Sequence, residues 1–150
     1  MSADTNVADV RAFIERAWNQ GDILAFDEFI SPDLVGGRER FKGMILGFRS
    51  AFPDLKLEVH DIFGTGDKVV SRWTITGTHR GPFLGIAATN NRIAIDGIAI
   101  DLFEAGVRVD GWAQFDKLGL LRQLGTIDAN GPFRLSRRPR PRSMTTAAFA

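Results

Sequence analysis

Apolar residues in this chain change their spacing once, at Leu55, and that change limits the folds open to it. Before Leu55 they recur every three or four residues, on one face of a helix; after it they alternate, on one face of a strand. Helices first and strands afterwards predict an α+β layout, with a curved antiparallel sheet closing like a cone over N-terminal helices gathered on one side. The inside of such a cone is apolar and concave, a natural place for a small-molecule site.

Asp4 and Thr5 are expected to cap a first helix running to about Gln20, with Val7, Val10, Ile14, Ala17 and Trp18 along its stripe. Gly21-Asp22 breaks it, a short helix follows from Ile23 to Ile30, and Ser31-Pro32-Asp33 reads as a turn. A third helix spans Arg38 to Phe52, with Phe41, Ile45, Phe48 and Phe52 on one stripe, and Pro53-Asp54 stops it. In the first strand Leu55, Leu57, Val59, Asp61 and Phe63 oppose Lys56, Glu58 and His60, so Asp61 is expected to face inward. Gly64 to Asp67 is a hairpin turn, and the second strand sets Val69, Trp73, Ile75 and His79 against Arg72, Thr74, Thr76 and Thr78. A loop from Gly81 to Asn91 leads to a third strand, Arg92 to Phe103, that is apolar on both faces. Glu104-Ala105-Gly106 turns into the last strand, Val107 to Phe115. The extra apolar face of Ile98, Ile100 and Leu102 predicts an outer surface covered by a second subunit in a homodimer.

At 150 residues the chain suits one domain, expected over 1–130. Residues 131–150 carry five arginines and no acid, which leaves 14 basic against 18 acidic side chains in the rest, a net of −4. The tail is short, basic and proline-rich and is expected to be disordered, and an acidic folded body argues against a nucleic-acid partner. No apolar run approaches the roughly 18–20 residues of a membrane span, and the N-terminus lacks the blocks of a signal peptide. Absence of cysteine excludes disulfide and thiolate chemistry and predicts a cytoplasmic location. With only His60 and His79 as imidazoles and no carboxylate cluster, no metal site is expected.

The segment from Trp112 to Gly125 places a lone carboxylate, Asp116, where an aromatic strand meets a leucine-rich turn of helix. Strand alternation sends Val107, Val109, Ala113 and Phe115 to one face and Trp112, Gln114 and Asp116 to the other. Locally the leading reading of Asp116 is an N-cap for a helix starting at Lys117. The other reading is a carboxylate in an apolar pocket, its pKa raised into the range of a general acid/base.

Five segments in register resemble a known family. Ala17-Trp-Asn-Gln-Gly-Asp22, Ala51-Phe-Pro-Asp-Leu55, Arg72-Trp-Thr74, Gly77-Thr-His-Arg-Gly-Pro-Phe-Leu-Gly85 and the Trp112–Gly125 segment follow one another as in the SnoaL-like polyketide cyclases, also called ester cyclases, of the nuclear-transport-factor-2-like superfamily. The resemblance covers roughly residues 7–127. It implies an α+β cone, commonly dimeric and free of cofactors, that closes a ring of a polyketide intermediate by intramolecular aldol condensation. It also implies that Asp116 is the general acid/base, against the local reading. The chain departs from the family where Glu-His-Trp becomes Asp110-Gly111-Trp112, where the hairpin shortens to Glu104-Ala105-Gly106, and where Gly36-Gly37 stands in place of a histidine. Loss of the imidazole at Gly111 enlarges the pocket or removes a polar contact, so the substrate need not match that of the characterised cyclases.

An aldol closure needs one carboxylate that first takes a carbon-bound proton and later returns it to the alkoxide. Asp116 is the expected acid/base, with His79 and Asp101 (on the face of Ile95, Ala99 and Phe103) as further catalytic candidates, each also open to a structural reading. Trp112, Gln114, Trp73, Trp18 and Phe48 are the expected substrate contacts. Without tyrosine, a ketosteroid-isomerase oxyanion hole built on a phenol is excluded. An epoxide-hydrolase site would need an arginine between aspartates, and Arg72 falls on the face opposite Trp73 and His79. Hydroxylation, epoxide-opening cyclisation and a non-catalytic binding module are the alternatives to ring closure.

Overall fold

The computed structural model describes residues 2–127, so the tail expected over 131–150 lies outside the described residues. Helix α1 (Ala3–Phe13) continues directly into a π-helical stretch, Ile14–Asn19. Ser2, rather than Asp4 or Thr5, is its N-cap: the Thr5 amide donates to the Ser2 hydroxyl at 3.2 Å, so the helix starts earlier than the charge pattern suggests. The wider π turn ends with Gln20 donating to the Glu15 carbonyl, and the orphaned carbonyls of Trp18 and Asn19 accept from Arg49 Nη1 at 2.6 and 3.0 Å. Helices α2 (Leu24–Phe29) and α3 (Arg38–Ala51) complete the helical layer.

Strands β1 (Lys56–Thr65), β2 (Lys68–Thr78), β3 (Arg92–Glu104) and β4 (Val107–Phe115) form one antiparallel sheet in the order β1-β2-β3-β4, and a short α4 (Lys117–Gln123) follows. The fold is α+β, with the N-terminal helices packed on the sheet, as the change of period at Leu55 predicts.

Two bulges break the expected alternation. In β1 the register slips between Val59 and Asp61, so Ile62 rather than Asp61 turns inward. Asp61 lies on the outer face with its carboxylate 2.6 Å from Arg72 Nε, and Phe63 is exposed, which corrects the inward placement expected of both. Between β3 and β4 Leu102 pairs with Asp110 but Phe103 pairs with Arg108, leaving Val109 as the extra residue. The freed backbone there is taken up by the chain after α2: Ser31 N–H donates to Arg108 O and Val35 N–H to Val109 O, both at 2.9 Å.

Two apolar clusters meet across the helices. Val10, Ile14, Trp73, Ile95 and Phe103 belong to the one against the sheet. Phe13, Phe26, Phe29, Ile30 and Ile45 belong to the one among the helices, where Phe13 meets Phe26 edge-on at 5.2 Å and stacks on Phe41 at 5.8 Å. Between the clusters the inner sheet face carries small residues in one row, Ser71–Ala99–Ala113, and a cavity of about 100 Å³ remains there.

Candidate active site

Strand alternation along β3 brings Asp101 to the inner face with Ile95, Ala99 and Phe103, as the sequence predicts. Its carboxylate enters the cavity beside Ser71 and Trp73, and the residue is only 7% exposed. Burial pushes the Asp101 carboxyl above the usual aspartate value, and the charge of Arg108 pulls in the opposite direction. Arg108 Nε lies 2.8 Å from Asp101 Oδ1, and its guanidinium carbon sits 4.5 Å from the centre of the Phe41 ring. The cavity therefore holds a carboxylate displaced toward neutrality, a guanidinium and walls of aromatic carbon.

Arg108 is the site residue that sequence reasoning missed. With Trp112 on the outer face, strict alternation would send position 108 outward as well; the extra residue at Val109 reverses this and pairs Arg108 with inward-facing Phe103. Asp9 of α1 was also missed. It lines the same cavity, and its carboxyl is raised by burial first and by the charge of Glu28 second.

The other expected site residues divide by position. Trp18 and Trp73 line the cavity. Phe48 does not; it packs on Phe83 at 4.9 Å and borders a neighbouring groove between α3 and α4. Trp112 and Gln114 belong to the outer face, opposite Ile100 and Ile98, and Trp112 is 52% exposed. The structure therefore corrects their placement in the pocket. Asp116 is exposed and its Oδ1 accepts from the Gly119 amide at 2.8 Å, the geometry of an N-cap on α4. Helix capping, the local reading, is what its geometry shows, and the carboxylate lies outside the cavity.

His79 is fully buried but away from Asp101. Its Nδ1 accepts from the Thr89 amide at 3.2 Å, which leaves the proton on Nε2, and its ring packs on Phe52 at 5.4 Å. These contacts tie the 81–91 loop to the end of β2, while Nε2 is buried with no hydrogen-bond partner among the described residues. Arg72 is on the outer face as expected. Its position is nevertheless no argument about the cavity, because Arg108 supplies a guanidinium there.

The chain belongs to the SnoaL-like polyketide cyclase family, whose profile matches residues 8–124. Among solved structures, TsrD from Streptomyces laurentii is 35% identical, with 79% of this chain and 96% of that one covered and a TM-score of 0.72. AclR from Streptomyces galilaeus is 30% identical over 85% of each chain, with a TM-score of 0.77. IdmH from Streptomyces antibioticus is 28% identical, covering 79% of this chain and 97% of its own, with a TM-score of 0.68. No curated protein matches the chain. Among the described residues no helix is long and apolar enough to cross a membrane.

Proposed function

We propose that the protein closes a ring in a polyketide-derived intermediate by an intramolecular aldol reaction, with Asp101 as general acid/base. The observation that carries this reading is the Asp101 carboxylate, buried in an apolar cavity and held near Arg108. Ionised Asp101 takes a proton from a carbon flanked by carbonyls, and the electron pair moves onto the neighbouring carbonyl oxygen. The enolate carbon then attacks a second carbonyl of the same molecule, a carbon–carbon bond forms, and the resulting alkoxide takes the proton back from Asp101. Nothing else is consumed. Asp101 replaces Asp116 in this role because general acid/base work needs a desolvated carboxyl within reach of substrate.

A cavity of about 100 Å³ is smaller than the roughly 300–1,000 Å³ of common ligand sites, so only the reacting end of a polycyclic intermediate is enclosed. The remainder extends past Met44, which borders both the cavity and the groove beside Phe48 and Phe83. That arrangement gives the expected contact at Phe48 a place in the reading.

The test is the rate of cyclisation of a poly-β-ketone thioester mimic, followed by chromatography. Asp101→Asn is expected to lose about 10²- to 10⁴-fold in rate with its circular dichroism unchanged. A fully active Asp101→Asn enzyme would remove the proposal.

A homodimer through the outer sheet face accompanies this reading. Ile98 is 51% exposed there, alongside Ile100 and Trp112 on adjacent strands. An apolar patch on an otherwise alternating sheet supports cover by a second copy.

A further inference from the structure

Gly111 stands directly across from Asp101 on the neighbouring strand, on the inner face of the sheet. A β-carbon at Gly111 would overlap Arg108 Nη2 and come within 2.8 Å of both its Cζ and its Nε. The guanidinium thus lies in space that a side chain at 111 would take. It is held there from three sides: the Phe41 ring, the Asp101 carboxylate, and the Asp110 carbonyl, which accepts from Nε at 3.3 Å. All of these holding contacts use the Nε edge or the face of the group. Among the described residues, none accepts a hydrogen bond from Nη1 or Nη2 of Arg108, and the side chain borders the cavity.

We propose that Arg108, seated over Gly111, is the oxyanion-binding residue of this site and selects substrates that present an anionic or enolisable oxygen beside the reacting carbon. The inference rests on the reading of Asp101 as the base. While Asp101 is ionised, its charge and that of Arg108 offset each other at 2.8 Å. When Asp101 takes the substrate proton it becomes neutral, and the electron pair appears on the substrate oxygen. Arg108 then faces an enolate in place of a carboxylate, and the net charge of the desolvated cavity does not change. A cavity that keeps its net charge through proton transfer avoids the large cost of creating an isolated buried ion. Guanidinium is suited to this because it stays protonated and offers several donors from one plane. The substrate class is a 1,3-dicarbonyl or a carboxylate-bearing precursor of one.

Binding of benzoate and of its neutral isostere benzamide, measured by titration calorimetry, tests the assignment without any turnover. The preference for benzoate over benzamide is expected to rise about tenfold in Asp101→Asn and to fall about tenfold in Arg108→Gln, relative to the unaltered protein. Benzamide affinity, which needs only the cavity, stays the same in both. Gly111→Ala leaves both charged groups in the chain but displaces the guanidinium, and it is expected to lose the benzoate preference as Arg108→Gln does. It also decides the matter if Arg108→Gln does not fold. An unchanged preference in Gly111→Ala or Arg108→Gln, no gain in Asp101→Asn, or no saturable benzoate binding at all would overturn the proposal. An anion preference that behaves as expected in a protein whose Asp101→Asn variant still cyclises would overturn only the role of Asp101 as base.

Discussion

The six-membered ring of the Trp73 indole fills the space over Gly97, its cross-strand neighbour, where any other residue would carry a β-carbon. Glycine at 97 is therefore what lets an indole lie against the sheet and form one wall of the cavity. Gly97→Ala would make its methyl overlap one ring carbon and come within 2.6 Å of two others, so the indole must move. Overpacking of this kind costs about 1–3 kcal/mol. A lowered denaturant midpoint with an unchanged slope is the expected result; a variant as stable as the parent would show that Trp73 relocates freely.

Asp116 and Asp101 make opposite predictions. Asp116 is an exposed cap on α4, so Asp116→Ala should lower stability by about 1 kcal/mol. Asp116→Asn should cost little, because asparagine caps as well as aspartate does. Neither substitution should slow cyclisation. Loss of turnover in Asp116→Asn with an unchanged melt would return the acid/base role to Asp116.

The pH dependence of the rate has a defined sign. Burial raises the Asp101 carboxyl and Arg108 lowers it, and the base must be ionised to act. Activity should therefore fall on acidification at a pH above the ordinary aspartate range. In Arg108→Gln the opposing charge is gone, so this acidic limb should move to still higher pH. For stability, a carboxyl raised in the folded state makes the protein gain stability as pH falls through that raised value toward the unfolded one. Asp54 acts oppositely. Its carboxyl is lowered, first by the Thr78 amide, so its contribution is present above the ordinary aspartate value and is lost as pH falls through the lowered one. A pH–rate profile of the parent and Arg108→Gln that superimposed would exclude Arg108 as a neighbour of the base.

The outer sheet face gives a separate expectation. Trp112→Asp or Ile98→Asp introduces a charge into the exposed apolar patch without touching the inner face. Sedimentation equilibrium should show a dimer for the parent and a monomer for either variant, with circular dichroism preserved. A monomeric parent would refute the dimer.

Sequence periodicity by itself determined the order of elements, the α+β class and the inward face of Asp101, because strand and helix periods are local properties of the chain. The capping contact of Asp116 was legible there too, since capping needs only a side chain and an amide three residues on. The positions of Asp61, Phe63 and Arg108 were decided by tertiary structure alone. Each lies beyond a bulge, and a bulge is set by how a strand pairs with its neighbours: at Val109, the strand β3 on one side and the Ser31–Val35 segment on the other. One extra residue leaves the alternation of side chains intact to the eye while exchanging the faces. That exchange carries Arg108 into the cavity beside Asp101, and Gly111, on the same strand as Arg108 and directly across from Asp101, leaves room for it.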